Sequence, residues 1–356
     1  MNLVRIQIQN LRNLKAVNLT LHPHVNFIIG GNGSGKTAFL EAIYLLSSGH
    51  SFRTREISPL IKFGERDLTV FTTTHDAQTI SIKKSMTLTT KVQINHSFCQ
   101  NNSELAYILP CQVFYQDIFQ IIDAGPAVRR KVLDWGVFHC QPAYHSLWKN
   151  YRRALKHRNI LLRQQAKQQQ LLPWDKTLSD LSAQLDALRN EYFTELNIKF
   201  KEILTQLSPI QCSLEYYKGW DRRKVGKHLA LILAENYQQD LGRQYTLYGA
   251  HQADLIIDSC HINVRQCFSR GEQKIILFAL KIAQAKLISK PCVFLCDDLS
   301  AELDQAYLMR LIDLFRQTSG QFFITLINHN VFQSVDDGNF KLFFVEDGVI
   351  YSESKN

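Results

Sequence analysis

The sequence predicts an α/β fold in which a head built from both ends of the chain carries an inserted helical arm. Three observations carry that expectation. Near the start, the β-branched and aromatic run Val25-Asn26-Phe27-Ile28-Ile29 leads through a glycine-rich stretch into residues 38–46, which have helical composition and no breaker. Near the end, Cys292-Val293-Phe294-Leu295-Cys296 is a second buried-strand run, closed by Asp297-Asp298. Between them, residues 125 to about 206 read as helix, with Pro126 at a helix start. The head is therefore expected at 1–115 and 207–356, and the arm at 116–206.

The glycine-rich stretch, Gly30-Gly31-Asn32-Gly33-Ser34-Gly35-Lys36-Thr37, fits G-x-x-x-x-G-K-[ST]. Its glycines let the backbone wrap closely around a phosphate, with N–H groups converging at a helix N-terminus. In that pattern Lys36 reaches the β- and γ-phosphates, and the Thr37 hydroxyl holds Mg²⁺. The strand before it and the helix after it supply the context the pattern needs. A nucleoside triphosphate is the expected ligand.

Composition narrows the partners. The chain has 356 residues, 45% of them hydrophobic, enough for one large or two moderate domains. A formal charge of +9 makes an anionic partner the expectation, nucleic acid first among them. The eight cysteines never form a C-x-x-C pair, which opposes a zinc site and fits reduced thiols in the cytoplasm. No signal-peptide core opens the chain and no window approaches 18 apolar residues, so no membrane role is expected.

Taken in order, residues 3–9 and 16–21 alternate apolar and polar as two strands across Asn10-Leu11-Arg12-Asn13. Either Arg12 or Asn13 folds back toward the nucleotide, or the turn is a solvated tip. Residues 68–73, 79–83 and 91–98 are short alternating runs that suggest an antiparallel sheet beside the nucleotide site, and 111–115 reads as one more strand. In the arm, Pro173 is expected to punctuate a break, and the Gln-rich 164–170 to be a helix end or a connection.

Residues 129–163 carry nine Lys or Arg (129, 130, 131, 149, 152, 153, 156, 158 and 163) against one acid, Asp134. The interleaved Tyr144, Trp148 and Tyr151 fall at helical spacing and read as a core-facing stripe. The basic face, with Arg129, Arg130, Arg152, Arg153, Lys156 and Arg158, reads as a phosphate-backbone contact. Beyond it, strands are expected at 212–217, 245–249, 255–257 and 322–327, helices at 224–239 and 274–288, and a closing hairpin around Asp347-Gly348.

The far end of the chain completes the chemistry. Four apolar residues and a carboxylate at a strand's C-terminal end let Asp297 hold Mg²⁺ through its water shell, while Asp298 polarises the attacking water. At Ser269-Arg270-Gly271-Glu272-Gln273, a Ser-x-Gly-x-Gln turn at a helix N-terminus offers Ser269, Gly271 and Gln273 to an anion. One chain cannot easily bring this turn and the phosphate loop to the same γ-phosphate. Two chains head to tail can, by sandwiching two ATP molecules.

In order and type, these motifs, with the Leu303-Asp304 loop, resemble the ABC/SMC-type ATPase heads. More narrowly the chain resembles the bacterial RecF DNA recombination and repair family. That match rests on Ser51-Phe52-Arg53, on Gly125-Pro126-Ala127-Val128-Arg129-Arg130 with Leu133-Asp134-Trp135, on residues 151–159, and on the motifs at 269–274 and 297–304. The resemblance implies an ATP- and Mg²⁺-dependent homodimer with weak ATPase activity that binds single-stranded, double-stranded and gapped DNA. It also implies action with RecO and RecR in loading RecA, in recombinational repair, replication and the SOS response. Gly249-Ala250-His251-Gln252-Ala253-Asp254 departs from the family's G-P-H-[RK]-x-D, which leaves any phosphate contact by Gln252 open. His329 is either a γ-phosphate switch histidine or a surface-loop residue. Two rivals remain: a transporter ATPase subunit, which the basic arm opposes, and a RecF-like head of a nuclease or defence system, for which no nuclease domain follows before Asn356.

Overall fold

A computed structural model describes residues 2–99, 101–259, 262–327 and 340–352 of the chain. His329 lies outside the described residues. The first part of the chain forms β1 (Leu3–Leu11), β2 (Leu14–Thr20), β3 (Val25–Ile29), α1 (Lys36–Ser48), β4 (Asp67–Thr74), β5 (Thr79–Ser85), β6 (Lys91–Ile94), β7 (Ser97–Phe98), α2 (Asn102–Ile108) and β8 (Cys111–Phe114). The middle forms α3 (Gln120–Asp123), α4 (Pro126–Cys140), α5 (Tyr144–Arg163), α6 (Gln168–Leu207), β9 (Ser213–Tyr217), α7 (Leu229–Glu235), α8 (Tyr237–Arg243), β10 (Asp254–Ser259), β11 (Ile262–Asn263), α9 (Val264–Cys267) and α10 (Arg270–Leu287). The last part forms β12 (Cys292–Cys296), α11 (Gln305–Gln317), β13 (Gly320–Leu326), β14 (Phe340–Glu346) and β15 (Val349–Ser352).

The chain divides into two compact units, Met1–Ile118 with Ser289–Asn356, and Phe119–Ile288. In the first, β3 and β12 are buried at every residue, as strands covered on both faces must be. They lie in a six-stranded sheet of order β15-β14-β3-β13-β12-β8, parallel except for the edge strand β15. β4 alternates strictly between buried and half-buried positions and belongs to an antiparallel sheet of order β2-β1-β4-β5-β6-β7. Helix α1 runs between the two sheets, and ten of its thirteen residues are buried. Its Phe39, Leu40 and Ile43 join one core with Ile6, Ile8 and Val70 on one side and Ile28, Leu295 and Phe323 on the other. The strand expected over 91–98 is split into β6 and β7, because Asn95 and His96 both take left-handed backbone angles.

The second unit sets α4 and α10 against the long α6, with the small sheet β11-β10-β9 beside them. Residues 207–288 pack with the arm, so this unit runs on past the expected boundary at 206. Three local expectations fail for identifiable reasons. Pro173 does not break α6; it sits exposed in the helix's second turn, where the one backbone bond it removes leaves a carbonyl open to water. The helix expected from 224 starts only at Leu229, because the Asp221 carboxylate accepts from the N–H groups of Val225, Gly226 and Lys227 and folds them into a turn. The strand expected at 245–249 does not form, since side chains take its donors: Thr246 N–H goes to Asn159 and Leu247 N–H to Asp240. Two buried arginines tie the unit together. Arg158 pairs with Asp175 and Asp240 at 2.6 Å each, and Arg189 pairs with Asp134 at 2.8 Å.

Candidate nucleotide and nucleic-acid sites

In the first unit, β3 delivers the chain into the phosphate loop and α1 begins at Lys36. Gly33 and Gly35 take φ of 78° and 124°, which only glycine adopts without strain. A Cβ on Gly30 would collide with the Val345 carbonyl. Gly31, Asn32 and Gly33 are exposed, while Ser34 and Gly35 are half-buried. Lys36 folds back over its own loop, its Nζ donating to the Gly30 carbonyl at 2.7 Å and the Gly31 carbonyl at 2.8 Å. Burial lowers its pKa, opposed by the carboxylates of Asp297 and Asp298. An ammonium hydrogen-bonded to two neutral carbonyls is available to an anion such as a phosphate.

Parallel pairing of β12 with β13, and of β13 with β3, brings the end of β12 to the start of α1. Thr37 Oγ1 lies 3.1 Å and 3.0 Å from the two carboxylate oxygens of Asp297. Thr325 on β13 donates its hydroxyl to Asp297 Oδ1 at 2.9 Å and accepts from the Asp298 N–H at 2.7 Å. Burial raises the Asp297 pKa and the neighbouring Asp298 adds to it, against the hydrogen bonds from Thr325 and Thr37 and the charge of Lys36. Asp298 takes a left-handed φ of 46°, and its carboxylate accepts from the Ser300 hydroxyl at 3.4 Å. A hydroxyl and one half-buried carboxylate in contact beside a phosphate loop fit Mg²⁺, which binds through few protein oxygens plus phosphate. Among the described residues no group of three or more His, Cys, Asp or Glu gathers to cage a metal.

The turn after β1 resolves the choice left open between Arg12 and Asn13. Asn13 folds onto the phosphate loop, donating to the carbonyls of Gly33 and Ser34 at 3.1 Å and 3.0 Å. Arg12 instead pairs with Glu41 of α1 through two bonds of 2.8 Å. Glu41 is fully buried and also accepts from the Ser51 hydroxyl, which ties the Ser51-Phe52-Arg53 loop to the same helix. Neither Glu41 nor Thr325 was a candidate from sequence. The signal for both was there, a polar side chain inside an apolar run, Glu41 within residues 38–46 and Thr325 within residues 322–327.

In the second unit, Ser269 caps α10 and is exposed. Its N–H and its hydroxyl both donate to Glu272 Oε2 at 2.8 Å, a reciprocal capping box. Gly271 follows in the first turn. Gln273 is buried, its amide donating to the Phe268 carbonyl and accepting from Arg270, so in this structure it shapes the turn.

The basic arm separates into two faces. Tyr151, Ala154, Arg158 and Leu162 of α5 are buried at helical spacing. Arg158 is therefore withdrawn from the DNA-contact set, because its guanidinium is wholly enclosed by Asp175, Asp240 and Thr246. Arg129 is likewise committed, bidentate to Asp254 at 2.9 Å, and Arg130 donates to the Ala253 carbonyl at 2.7 Å. Arg152, Arg153 and Lys156 are exposed. With Trp148, Lys149 and Arg163 they line an open groove of about 870 Å³. Tyr144 and Tyr151 face the core, as expected, stacked on either side of Trp148, which departs from the expected stripe in being half-buried against the groove. His251 sits beneath, Nδ1 accepting from the Tyr151 hydroxyl at 2.6 Å and Nε2 donating to the Thr246 carbonyl at 3.0 Å. Burial pushes its pKa down to about 4, with Arg130, Arg158 and Arg189 contributing.

No helix among the described residues is long and apolar enough to cross a membrane. Residues 2–351 match the family profile of the RecF/RecN/SMC N-terminal domain. The DNA replication and repair protein RecF of Vibrio vulnificus (strain CMCP6) is 36% identical over 359 aligned residues, which cover 98% of this chain and 99% of that one. RecF of Francisella tularensis subsp. novicida is 33% identical, covering 95% and 98%. A solved structure of the recombination mediator protein RecF-ATP superposes with a TM-score of 0.85 at 26% identity, covering 99% of this chain and 98% of that one. An SMC head bound to the C-terminal winged-helix domain of ScpA has a TM-score of 0.63 at 18% identity, a likeness of fold.

Proposed function

The chain belongs to the RecF/RecN/SMC N-terminal domain family, and we propose that it is a DNA-binding protein of replication and recombinational repair switched by ATP. The observation that carries the nucleotide half is the contact of Thr37 with Asp297, residues 260 positions apart that meet beside the phosphate loop. Residues 30–37 would hold the phosphates, with Lys36 exchanging its two carbonyl partners for the β- and γ-phosphates. Thr37 and Asp297 would hold Mg²⁺, which when bound neutralises charge between the phosphates. Asp298 would orient the attacking water. Its short side chain and tethered backbone argue for slow turnover, a timer more than a motor.

Ser269 and Gly271 would complete the site of a second copy, so that ATP closes a head-to-tail homodimer. The exposed Arg152, Arg153 and Lys156 would then hold the DNA backbone, single-stranded, double-stranded or gapped. RecO and RecR are the partners that the family likeness suggests, with RecA loading and the SOS response as the setting.

The test is a gel shift on gapped DNA with and without ATP, beside direct nucleotide binding. The expected result is ATP-dependent retardation that Lys36→Met removes together with ATP binding. Retardation indifferent to ATP in the wild-type chain overturns the switch.

A further inference from the structure

A second basic surface in the Phe119–Ile288 unit has no part in the nucleotide or α5 sites. It lies where the end of β9 and the turn after it meet the end of α8 and the segment that follows. The Gly249 N–H donates to the Gly219 carbonyl at 3.2 Å, and any Cβ on Gly219 would collide with Gly249, so the two segments run in close contact. From the first come Tyr217, Arg222 and Arg223; from the second come Arg243, Tyr245 and Tyr248. All three arginines are exposed, Tyr245 is exposed, and Tyr217 and Tyr248 are half-buried.

The acids nearby are already spent. Asp221 accepts three backbone N–H groups, Glu215 pairs with Lys224 at 2.9 Å, and Glu235 pairs with Lys227 at 2.5 Å. Among the described residues no carboxylate pairs with Arg222, Arg223 or Arg243. Arg243 Nη1 instead donates to the Tyr245 hydroxyl at 3.3 Å. Burial raises the Tyr217 pKa, Arg222 opposes the shift and Tyr248 adds to it, so Arg222 and Tyr248 each lie within electrostatic reach of Tyr217. The loop that carries Arg222 and Arg223 is pre-formed, since Asp221 and Lys224 hold left-handed φ angles and the Asp221 carboxylate clasps the turn.

Cations without carboxylate partners, set among phenol rings on a rigid frame, match one ligand chemistry: phosphates on the guanidinium groups and unpaired bases against the rings. A duplex offers no base faces, so it would gain from the arginines alone. We propose that Arg222, Arg223 and Arg243 with Tyr217, Tyr245 and Tyr248 form a contact for single-stranded nucleic acid, separate from the α5 groove. The two surfaces touch through Thr246, which lies between Tyr245 and Tyr248 and donates to Asn159 of the groove at 2.9 Å and 2.7 Å. They share a partner class and none of the six residues, so each reading fails by itself.

The experiment is fluorescence anisotropy of the full chain with labelled oligo(dT) and, separately, with a duplex of equal length, affinities being compared at one salt concentration and slopes across a salt series. Tyr245→Ala is expected to weaken oligo(dT) binding by about 5- to 100-fold while duplex affinity stays within about twofold. Arg222→Ala with Arg223→Ala is expected to weaken oligo(dT) binding and to flatten its salt dependence by about 1.4 log units per log unit. Tyr245→Trp keeps the aromatic face, so it should bind oligo(dT) as the wild type does and show added tryptophan emission that the oligonucleotide quenches. Thermal melts establish that each variant is folded. An unchanged oligo(dT) affinity in both alanine variants overturns the proposal, and so does an equal loss on duplex in Tyr245→Ala. Loss of duplex binding in Arg152→Ala with Arg153→Ala tests the α5 groove and leaves this surface standing.

Discussion

Thr37 Oγ1 bridges to both oxygens of Asp297, at 3.1 Å and 3.0 Å, and so joins the first turn of α1 to the end of β12. Asp297 is buried enough that its pKa is raised. A carboxyl whose folded pKa exceeds its unfolded value stabilises the fold below the unfolded value and loses that contribution as pH rises through the folded one. At neutral pH the ionised Asp297 is therefore a cost that metal binding relieves. Asp297→Asn keeps an acceptor for Thr37 and Thr325, and should raise the melting temperature of the ligand-free protein by an amount worth about 0.5–2 kcal/mol. The same variant should lose Mg²⁺-dependent ATP hydrolysis. Calorimetry in two buffers of different ionisation enthalpy should show proton release on Mg²⁺-nucleotide binding, growing toward acid pH.

Among the described residues, the Lys36 ammonium bonds only to the two carbonyls of its own loop. Lys36→Met should thus leave stability within about 1 kcal/mol of wild type while nucleotide binding disappears. Lys36→Arg should retain weak binding, because the wider guanidinium fits a tight phosphate nest poorly. Equilibrium binding of a fluorescent ATP analogue beside a denaturant titration checks both halves.

The buried and the exposed arginines of α5 should behave in opposite ways. Arg158→Ala strands the buried Asp175 and Asp240 and should cost about 3–5 kcal/mol of stability. Arg152→Ala with Arg153→Ala should leave stability unchanged and flatten the log–log salt dependence of duplex binding by about two if both touch phosphate. Denaturant midpoints and salt titrations on the same proteins separate the two effects.

His251 is held neutral, its pKa pushed down to about 4 from an ordinary 6.5. Below pH 6.5 the unfolded chain takes up a proton that the folded chain refuses, so stability is present above that value and is lost as pH falls toward 4. The loss from this residue should be on the order of 2–3 kcal/mol. His251→Gln should show a shallower fall of the urea midpoint across this window than the wild type does.

Ser269 bears on assembly. Its side chain belongs to the cap of α10, where its hydroxyl donates to Glu272. Ser269→Arg should leave ATP binding to the single chain intact and abolish ATP-dependent dimerisation, read by sedimentation. A variant that still dimerises on ATP would sink the head-to-tail arrangement.

The sequence by itself determined whatever is local or periodic. Residues 25–46 announce strand, phosphate loop and helix because the glycine spacing and apolar runs are read over a few residues, and β12 with its two acids is legible for the same reason. The family, too, is carried by motifs whose order survives in one dimension. What only the tertiary structure decided is which polar side chains are spent on other parts of the chain. Arg152 and Arg158 are the same letter on the same helix, yet one faces solvent and the other closes on Asp240, 82 residues away. Arg129 is claimed by Asp254 across 125 residues, and Glu41 by Arg12 across 29. A buried charge must find its partner wherever the fold brings one, and that pairing has no period along the chain. The same holds for 245–249, where an apolar and aromatic run gave up its strand because Asn159 and Asp240 took its backbone donors.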